Sequence, residues 1–263
     1  ARFGTSRFGE TAPVVRQERS RRIPRNPPMP AKINKAMILA AGRGTRMREL
    51  TDALPKPLIA VNGRTLIDRI ADKIAAQGIR DCVVNVCYLG DKIKANFAKR
   101  SDLNFVYSDE ESALETGGGV KKALPLLNDS AFFVLNADPA WTERGTPALQ
   151  KMEQAWNPDL TDALLLLVPM TRVFGHDGTG DYLLDERGKP HRKAAGTTAP
   201  YVFAGAQILK KSLFDDSPDG KFSLNVLYDK AEKAGRLSAV VLDGDWYHVG
   251  TPEALTIAEQ NLK

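Results

Sequence analysis

The segment LAAGRGTRM, residues 39–47, is a glycine-rich loop that follows a short apolar run. Such a loop can offer backbone amides to an anion, because glycine has no side chain to shield them. Arg46 adds a cation inside the loop, and Lys56 follows between Pro55 and Pro57, whose rings fix the backbone on both sides. Amides, an arginine and a rigidly mounted lysine together suit the phosphates of a nucleoside triphosphate. The alternative for the lysine is a solvated side chain in a surface turn.

Two common phosphate-binding loops do not match this segment. The dinucleotide fingerprint G-x-G-x-x-G starts well at Gly42 and Gly44 but meets Met47 at the third glycine position. It also requires an acidic residue about 20 positions further on to hold a ribose, and the sequence there, IAVNGRT, has none. The Walker loop requires G-K-[ST], which is absent from the segment. A glycine loop of another kind therefore remains.

One carboxylate is placed where it could hold a metal ion. The apolar run FFVL is followed by Asn136, Ala137 and Asp138. In a parallel sheet, the carboxyl end of each strand faces the ligand crevice. Mg²⁺ prefers oxygen ligands, so a carboxylate at this edge of the sheet is a candidate metal ligand. The alternative is an aspartate that caps a turn before Pro139.

The elements that must position these residues alternate along the chain. Apolar runs of strand length predict strands at 35–41, 81–87, 103–108, 131–137 and 162–169. Amphipathic stripes and glycine boundaries predict helices at 65–78, 90–99, 117–127 and 146–156. This β-α-β-α order predicts an α/β fold with a Rossmann-like, mostly parallel sheet and helices on both faces.

The pattern becomes richer in strands after residue 170. The sequence predicts a hairpin at 180–192 that turns at Arg187-Gly188, a strand at 201–210, a helix at 222–235, a strand at 236–243 and a capped helix at 251–263. We expect residues 31–263 to form one globular domain with a small β-rich half.

The positive charge of the chain is concentrated in residues 1–30. Of 37 Lys and Arg and 32 Asp and Glu, this segment holds seven Arg and two Glu, which leaves 30 of each sign in the other 233 residues. The segment is rich in Arg and Pro without an apolar period, which predicts a disordered extension. Met29 is interpreted as the start of the body; an arm for nucleic acid or an anionic membrane is the alternative, and the prolines argue against a transit peptide.

The neutral body gives no electrostatic footprint for nucleic acid, and no apolar run approaches the length of a membrane span. We therefore predict no nucleic-acid or membrane partner. Cys82 and Cys87 are five positions apart in the run CVVNVC, so they point to opposite faces of a strand and cannot pair there. Unpaired thiols predict a cytoplasmic location.

The segment 37–70, MILAAGRGTRMRELTDALPKPLIAVNGRTLIDRI, resembles the N-terminal signature of the sugar-phosphate nucleotidyltransferases. That signature reads L-A-A-G-x-G-T-R-[ML]-x-P-L-T and then P-K-P-L; Glu49 departs from it at the first proline. The resemblance implies a GT-A-like nucleotidyltransferase fold in which a sugar 1-phosphate attacks a nucleoside triphosphate and pyrophosphate leaves. Arg46 and Lys56 would neutralise the triphosphate. The loop residues implied to line the nucleotide are Leu39, Ala40, Ala41, Gly42, Gly44 and Thr45.

The same resemblance implies a divalent metal, and one of its positions departs from the family pattern. The family motif N-[GA]-D assigns Asp138 to Mg²⁺. A second motif, W-x-D-[IV]-G-T-P, corresponds here to WYHVGTP, so His248 replaces an aspartate. Histidine is a poor ligand for Mg²⁺ and a better one for softer ions such as Mn²⁺. Three roles remain for His248. It binds the metal directly, it contacts phosphate as a cation, or it has no part in metal binding and Asp243 or Asp245 is the second ligand. We favour the contact with phosphate.

The stretch LETGGG, 114–119, is similar to that of the N-acetylmuramate 1-phosphate uridylyltransferases, which act in cell-wall sugar recycling. This similarity implies UTP and N-acetylmuramate 1-phosphate as substrates. It implies nucleotide contacts by Asn85, Thr116, Gly117 and Gly118, and sugar contacts by Glu115, Asp181 and Gly205. For Arg192 and Lys193, contact with the sugar phosphate and a solvated hairpin edge remain equal alternatives, and no partner is predicted for His176 or His191.

Two other functions remain open at this point. The first is a mannose or glucose 1-phosphate nucleotidyltransferase that uses GTP or UTP. The second is a catalytically silent regulatory subunit, which the histidine at position 248 favours and which Arg46, Lys56 and Asp138 disfavour. The sequence predicts a monomer or a homo-oligomer without deciding between them.

Overall fold

A computed structural model of the chain describes Ala1, residues 32–44, Met47 and residues 51–262. The predicted extension at 1–30 lies outside these residues apart from Ala1, and so do Thr45, Arg46 and Glu49. Among the described residues, every helix is too short or too polar to span a lipid bilayer.

The predicted strands and helices occur in the predicted order, most of them with shorter bounds. The helix predicted at 117–127 begins two residues earlier, and the strand predicted at 103–108 is shifted by one residue. The strands are β1 (Lys35–Leu39), β2 (Ala60–Val61), β3 (Arg64–Thr65), β4 (Asp81–Val86), β5 (Asn104–Asp109), β6 (Ala131–Asn136), β7 (Pro139–Trp141), β8 (Ala163–Pro169), β9 (Val173–Phe174), β10 (Tyr182–Leu184), β11 (Pro190–Arg192), β12 (Tyr201–Lys210), β13 (Leu237–Val241) and β14 (Trp246–His248). The helices are α1 (Leu66–Ala76), α2 (Gly90–Phe97), α3 (Glu115–Leu127), α4 (Ala148–Ala155), α5 (Asn225–Lys233) and α6 (Pro252–Asn261).

The central sheet has the order β5-β4-β1-β6-β12-β8-β13, and β10 and β11 extend it from the start of β12. Strands β5, β4, β1 and β6 are mutually parallel, β12 is antiparallel to both β6 and β8, and β13 is parallel to β8. The predicted α/β class with a mostly parallel sheet is confirmed. The strands expected in a β-rich half are continuous with this sheet, because β12 is paired on both sides.

Helices cover both faces of the sheet. Successive apolar side chains of β1 point to opposite faces, so both faces must be buried. Ile38 belongs to the apolar cluster that includes Ile70 of α1 and Met152 of α4, whereas Met37 belongs to the cluster that includes Val120 of α3. All of these side chains are inaccessible to solvent. Helix α1 is an example of how local sequence sets the start and the end of these helices.

The amide of Asp68 donates to the hydroxyl of Thr65 at the start of α1, and Gly78 follows its end with φ +83°. Gly78 is the glycine stop that the sequence predicts, whereas Thr65, predicted as the first helical residue, is the N-cap. The predicted hairpin is also confirmed: β10 and β11 pair antiparallel, and Gly188 adopts φ +73° in the turn.

A second, three-stranded sheet was not predicted. In it, β14 pairs antiparallel with β7 and parallel with β9, and His248 lies opposite Pro139. Strands of two or three residues are too short to show a period of two, which explains why they are not apparent in the sequence. This small sheet places His248 beside the end of β6.

Chain order reverses its direction across the sheet at β1, since β4 and β5 lie on one side of it and β6 on the other. In open α/β sheets, ligands bind at the carboxyl ends of the strands where this reversal occurs. The glycine loop follows β1 and Asp138 follows β6, so both leave the sheet at that position.

Candidate active site

The glycine loop turns sharply at Gly44, which has φ +67°. Its carbonyl accepts the amide of Met47 at 3.0 Å and the hydroxyl of Thr51 at 3.3 Å. A Cβ at Gly44 would lie 2.6 Å from Cβ of Lys56. Glycine is therefore needed here for two reasons: the backbone conformation and the close approach of Lys56.

We expect Gly44→Ala to lower kcat/KM by about 10-fold or more, because the added methyl group must displace the stem of Lys56 and because misplaced catalytic groups are costly. Gly63→Ala is the matched control: Gly63 also has a positive φ, +75°, but no atom lies within 4 Å of the position of its added Cβ. It shares the backbone strain and should keep full activity. The activity of both variants is measured as steady-state pyrophosphate release. Equal activity would show that the close approach of Lys56 to Gly44 is not important for the reaction.

Lys56 is held in place by its neighbours. Pro55 adopts an extended conformation (φ −64°, ψ 140°), and a 3-10 turn, Lys56–Leu58, follows with Pro57 in its first turn. Only 9% of the lysine side chain is exposed. Its Nζ lies 2.8 Å from Oδ2 of Asp138, whose side chain remains 36% exposed. The surface-turn alternative for Lys56 is thus at odds with its burial.

Asp138 is ionised in this environment. Desolvation in the cleft acts to raise the pKa of its carboxyl group, but the ammonium of Lys56 outweighs it through charge and hydrogen bonding, and the pKa lies below its ordinary value. A protonated His248 also acts to lower the pKa of Asp138. The three side chains therefore form one electrostatic group at the end of β6.

A buried polar chain joins the glycine loop to α3. The amide of Ala40 donates to Oδ1 of Asn85 at 2.8 Å, and Nδ2 of Asn85 donates to Oε1 of Glu110 at 2.7 Å. The other carboxylate oxygen, Oε2 of Glu110, accepts the amide of Leu114 at 3.0 Å. The exposed fractions of Asn85 and Glu110 are 3% and 6%. The side chains thus connect the carboxyl ends of β1, β4 and β5 with the start of α3.

The start of α3 is fixed by the segment before α5. Glu115 has φ +59°, which is rare for a residue other than glycine and marks a strained backbone. The amides of Gly117 and Gly118 both donate to the carbonyl of Phe222. The hydroxyl of Thr116 accepts the amide of Leu224 at 2.9 Å. Gly117 and Gly118 therefore pack against this segment, and their amides point to it.

These residues surround a cavity of about 400 Å³, within the range of small-molecule sites. Predicted site residues that line it are Leu39, Ala40, Ala41, Gly42, Gly44, Lys56, Asn85, Glu115, Thr116 and Asp138. The cavity is also lined by residues that were not predicted from the sequence, namely Pro57, Glu110, Ala113, Asn136, Ala137 and Gly250. Glu110 could have been found, because it follows β5 as Asp138 follows β6, at the same edge of the sheet.

Other predicted site residues do not line the cavity. The carboxylate of Asp181 accepts the amide of Phe203 at 2.9 Å. Gly205 has φ +84° in an irregular part of β12, and a Cβ there would lie 3.2 Å from Cβ of Asn136. Gly205 thus lets β12 pass close to the end of β6. Arg46 and Thr45 lie outside the described residues, and their roles stay predictions.

The hairpin residues have partners on the protein itself. Arg192 pairs with Asp229 through two hydrogen bonds, and Nζ of Lys193 donates to the hydroxyl of Thr179. His191 lies 3.1 Å from a carboxylate oxygen of Glu232. The interpretation of a hairpin edge is favoured for Arg192, because both its bonds go to an acid on α5.

His248 belongs to an aromatic cluster beside the cavity. Its ring stacks on Trp246, with centroids 5.8 Å apart and planes at 19°, and meets the edge of His176 at 5.6 Å. A Cβ at Gly250, which lines the cavity, would lie 2.4 Å from Nε2 of His248. His176, for which no partner was predicted, thus packs against the residue that departs from the family motif.

The donors in the cavity suit a magnesium ion that arrives with a nucleotide. In the described part of the chain, no cluster of three or more His, Cys, Asp or Glu could hold a metal by itself. Glu110 already accepts two hydrogen bonds, whereas Asp138 is partly exposed and ionised. Mg²⁺ commonly takes one or two carboxylates and completes its shell with phosphates and water. Asp138 fits that requirement.

Comparison with known proteins agrees with this geometry. Residues 35–263 match the family model described as nucleotidyl transferase. The chain is 42% identical over 232 residues to the N-acetylmuramate alpha-1-phosphate uridylyltransferase of Caulobacter vibrioides, covering 86% of this chain and 96% of the relative. It is 38% identical over 109 residues to the mannose-1-phosphate guanyltransferase of Hypocrea jecorina, covering 40% of this chain and 30% of the relative.

A solved structure shows the same fold. HddC from Yersinia pseudotuberculosis, complexed with GMP-PN, superposes with a TM-score of 0.71 at 23% identity, covering 88% of this chain and all of HddC. At this identity the likeness establishes the architecture, so the cavity must be interpreted from its own residues.

Proposed function

Because the chain belongs to the nucleotidyl transferase family, we propose that it transfers the uridylyl group of UTP to N-acetylmuramate α-1-phosphate and releases pyrophosphate. The observation that supports this most strongly is the cavity at the ends of β1 and β6, where glycine-loop backbone, Lys56 and Asp138 meet. The similarity to the uridylyltransferase of Caulobacter vibrioides, which extends over almost the full length of that enzyme, supports uracil as the base and N-acetylmuramate as the sugar.

The chemistry requires no general base. An oxygen of the sugar phosphate attacks the α-phosphorus of UTP, the bond from that phosphorus to the bridging oxygen of the β-phosphate breaks, and pyrophosphate leaves with the electron pair. The nucleophile is already an anion at neutral pH, so catalysis consists of positioning and charge neutralisation. This accounts for a site built from amides, Lys56 and Asp138.

Each residue has a defined part in that scheme. The backbone from Leu39 to Gly44 holds the nucleotide, and Lys56 neutralises charge on the triphosphate and the departing pyrophosphate. We assign the same task to Arg46 from the family motif. Asp138 would hold Mg²⁺, or Mn²⁺ in its place, and the ion would screen the negative charge of the phosphates.

The sugar is proposed to lie toward Glu115, which lines the cavity and whose side chain is 48% exposed. Asp181 and Gly205 remain proposals for the sugar side, and Gly205 supports the position of Asn136 there. We place the reaction in the cytoplasm, where UTP is available and where thiols such as Cys82 and Cys87, both unpaired, stay reduced.

Substitution of His248 tests which metal the site favours. We expect His248→Asp to keep or raise turnover with Mg²⁺ and to raise the ratio of Mg²⁺-supported to Mn²⁺-supported turnover, because a carboxylate is the better Mg²⁺ ligand. Turnover of the variant is measured with Mg²⁺ and with Mn²⁺, and circular dichroism verifies that the variant is folded. A folded variant that is inactive with every divalent ion would assign the imidazole an essential role of another kind.

A panel of substrates tests the proposed function. Pyrophosphate release is measured for UTP, GTP, CTP and dTTP, each with the 1-phosphates of N-acetylmuramate, mannose, glucose and N-acetylglucosamine. We expect the highest kcat/KM for UTP with N-acetylmuramate 1-phosphate. Preference for GTP with mannose 1-phosphate would favour the second candidate, which the partial match to the Hypocrea jecorina enzyme supports. Inactivity with every pair would favour the silent regulatory subunit.

A further inference from the structure

The polar chain from Ala40 through Asn85 and Glu110 to Leu114 has a role beyond lining the cavity. We propose that Asn85 and Glu110 are positioning residues that set the distance between the glycine loop and the start of α3. The glycine loop holds phosphates and the start of α3 contributes Glu115 and Thr116, so this distance must match the length of the nucleotide. The inference rests on the proposed function. It assigns Asn85 a positioning role in place of the predicted direct contact with the nucleotide.

The hydrogen-bond polarity of this chain is fully determined. The amide of Ala40 can only donate, so the side chain of Asn85 must turn its oxygen toward it. The amide nitrogen of Asn85 is then left to donate to Glu110. The amide of Leu114 also can only donate, and it takes the second oxygen of Glu110. The amide of Ala40, the side-chain amide of Asn85 and the amide of Leu114 each meet one acceptor, and the flipped orientation of Asn85 does not preserve this match.

Because Asn85 and Glu110 are buried, a mismatch of their hydrogen-bond donors and acceptors would be costly. Both side chains are almost completely removed from water, and a buried donor left without an acceptor costs free energy that water cannot restore. A mismatch would therefore be relieved by movement of the glycine loop or of the start of α3. Either movement changes the width of the cavity.

The third glycine of the LETGGG motif supports the same inference. A Cβ at Gly119 would lie 2.8 Å from both Nδ2 of Asn85 and Oε1 of Glu110. Gly117 and Gly118 pack against the segment before α5, whereas Gly119 faces this pair. The absence of a side chain at Gly119 allows α3 to pack directly over the hydrogen bond between Asn85 and Glu110.

The test exchanges the polarity of the pair. In Asn85→Asp two carboxylates face each other, and in Glu110→Gln two side-chain amides face each other, so that the match of donors and acceptors is lost. We expect each single variant to lower kcat/KM for UTP and N-acetylmuramate 1-phosphate by about 10- to 100-fold.

The double variant, Asn85→Asp with Glu110→Gln, restores the match. The introduced carboxylate can accept from the amide of Ala40 and from the introduced side-chain amide, whose oxygen can accept from the amide of Leu114. We expect kcat/KM of this variant to recover to within about threefold of the parent protein, since every donor again has an acceptor.

Asn104→Asp is the matched control. Nδ2 of Asn104 donates to the carboxylate of Asp81 at 3.1 Å across the same two strands, at the exposed end away from the cavity. This variant also places two carboxylates opposite each other, and its activity should equal that of the parent. Thermal unfolding of all variants separates loss of folding from loss of position.

Amide hydrogen exchange of the free protein supplies a readout that needs no substrate. Both single variants should exchange faster in the segments 37–44 and 112–118, and the double variant should regain protection in both. If the double variant is as impaired and as weakly protected as the worse single variant, Asn85 and Glu110 do not act as a coupled pair and the inference is wrong. If the parent protein is inactive with UTP but the exchange pattern holds, the proposed function fails while the coupling stands.

Discussion

Lys56→Met is expected to lower kcat/KM for pyrophosphate release by about 10²- to 10³-fold while the protein stays folded. The methionine replaces the buried stem of the lysine but removes its charge and the hydrogen bond that it donates to Asp138. The lost ammonium is the cation that the structure holds beside the ionised Asp138 in the cavity. Without it, the negative charge that accumulates on the leaving pyrophosphate has one partner fewer and the carboxylate repels it.

The control for this variant is Lys94→Met. Lys94 forms an ion pair with Asp109 at the surface, where 33% of the lysine and 66% of the aspartate side chain are exposed. An exposed pair contributes little to stability, and this one lies outside the cavity, so activity should not change. Retention of more than about one tenth of the activity by Lys56→Met would remove the lysine from the catalytic machinery.

Asp138→Asn should have the second large effect, a loss of about 10²- to 10³-fold in kcat. The amide keeps the shape of the side chain and can still accept the hydrogen bond from Lys56, but it is a weaker ligand for a hard cation. Electron paramagnetic resonance of Mn²⁺ with a non-hydrolysable UTP analogue measures this directly. We expect the apparent Kd of the ion to rise by about tenfold or more, while Asp109→Asn leaves it unchanged.

The two substitutions together test whether Lys56 and Asp138 work as a unit. In a double-mutant cycle, residues that act together are strongly non-additive. The Lys56→Met and Asp138→Asn double variant should therefore lose little more activity than either single variant. Losses that multiply would show that the two side chains contribute independently, in spite of the 2.8 Å between them.

Convergence of the site could be predicted from the sequence because it follows from local rules. Short apolar runs identify β1 and β6, and the carboxyl ends of parallel strands meet at one edge of a sheet. Two prolines fix Lys56 without any tertiary information. These rules place the glycine loop and Asp138 at one edge of the sheet, whereas the family resemblance supplied the roles of Lys56 and Asp138 in the same site.

The remaining site features depend on contacts between distant segments. Asn85 and Glu110 are 25 positions apart, and neither residue type indicates by itself that the two will pair in the core. The cluster of His176, Trp246 and His248 depends on strands too short to show a period. The amides of Gly117 and Gly118 point to Phe222 because of how α5 packs on α3, which local sequence does not encode.

We propose that the cavity between the ends of β1 and β6 binds the triphosphate of UTP. The most direct measurement is a crystal structure with UTP and Mg²⁺, collected before turnover by omitting the sugar phosphate. We predict phosphate density between the amides of residues 42–44 and Nζ of Lys56, with the ion on Asp138. A nucleotide bound elsewhere on the protein, with the ion pair between Lys56 and Asp138 undisturbed and the cavity filled by water alone, would contradict the account.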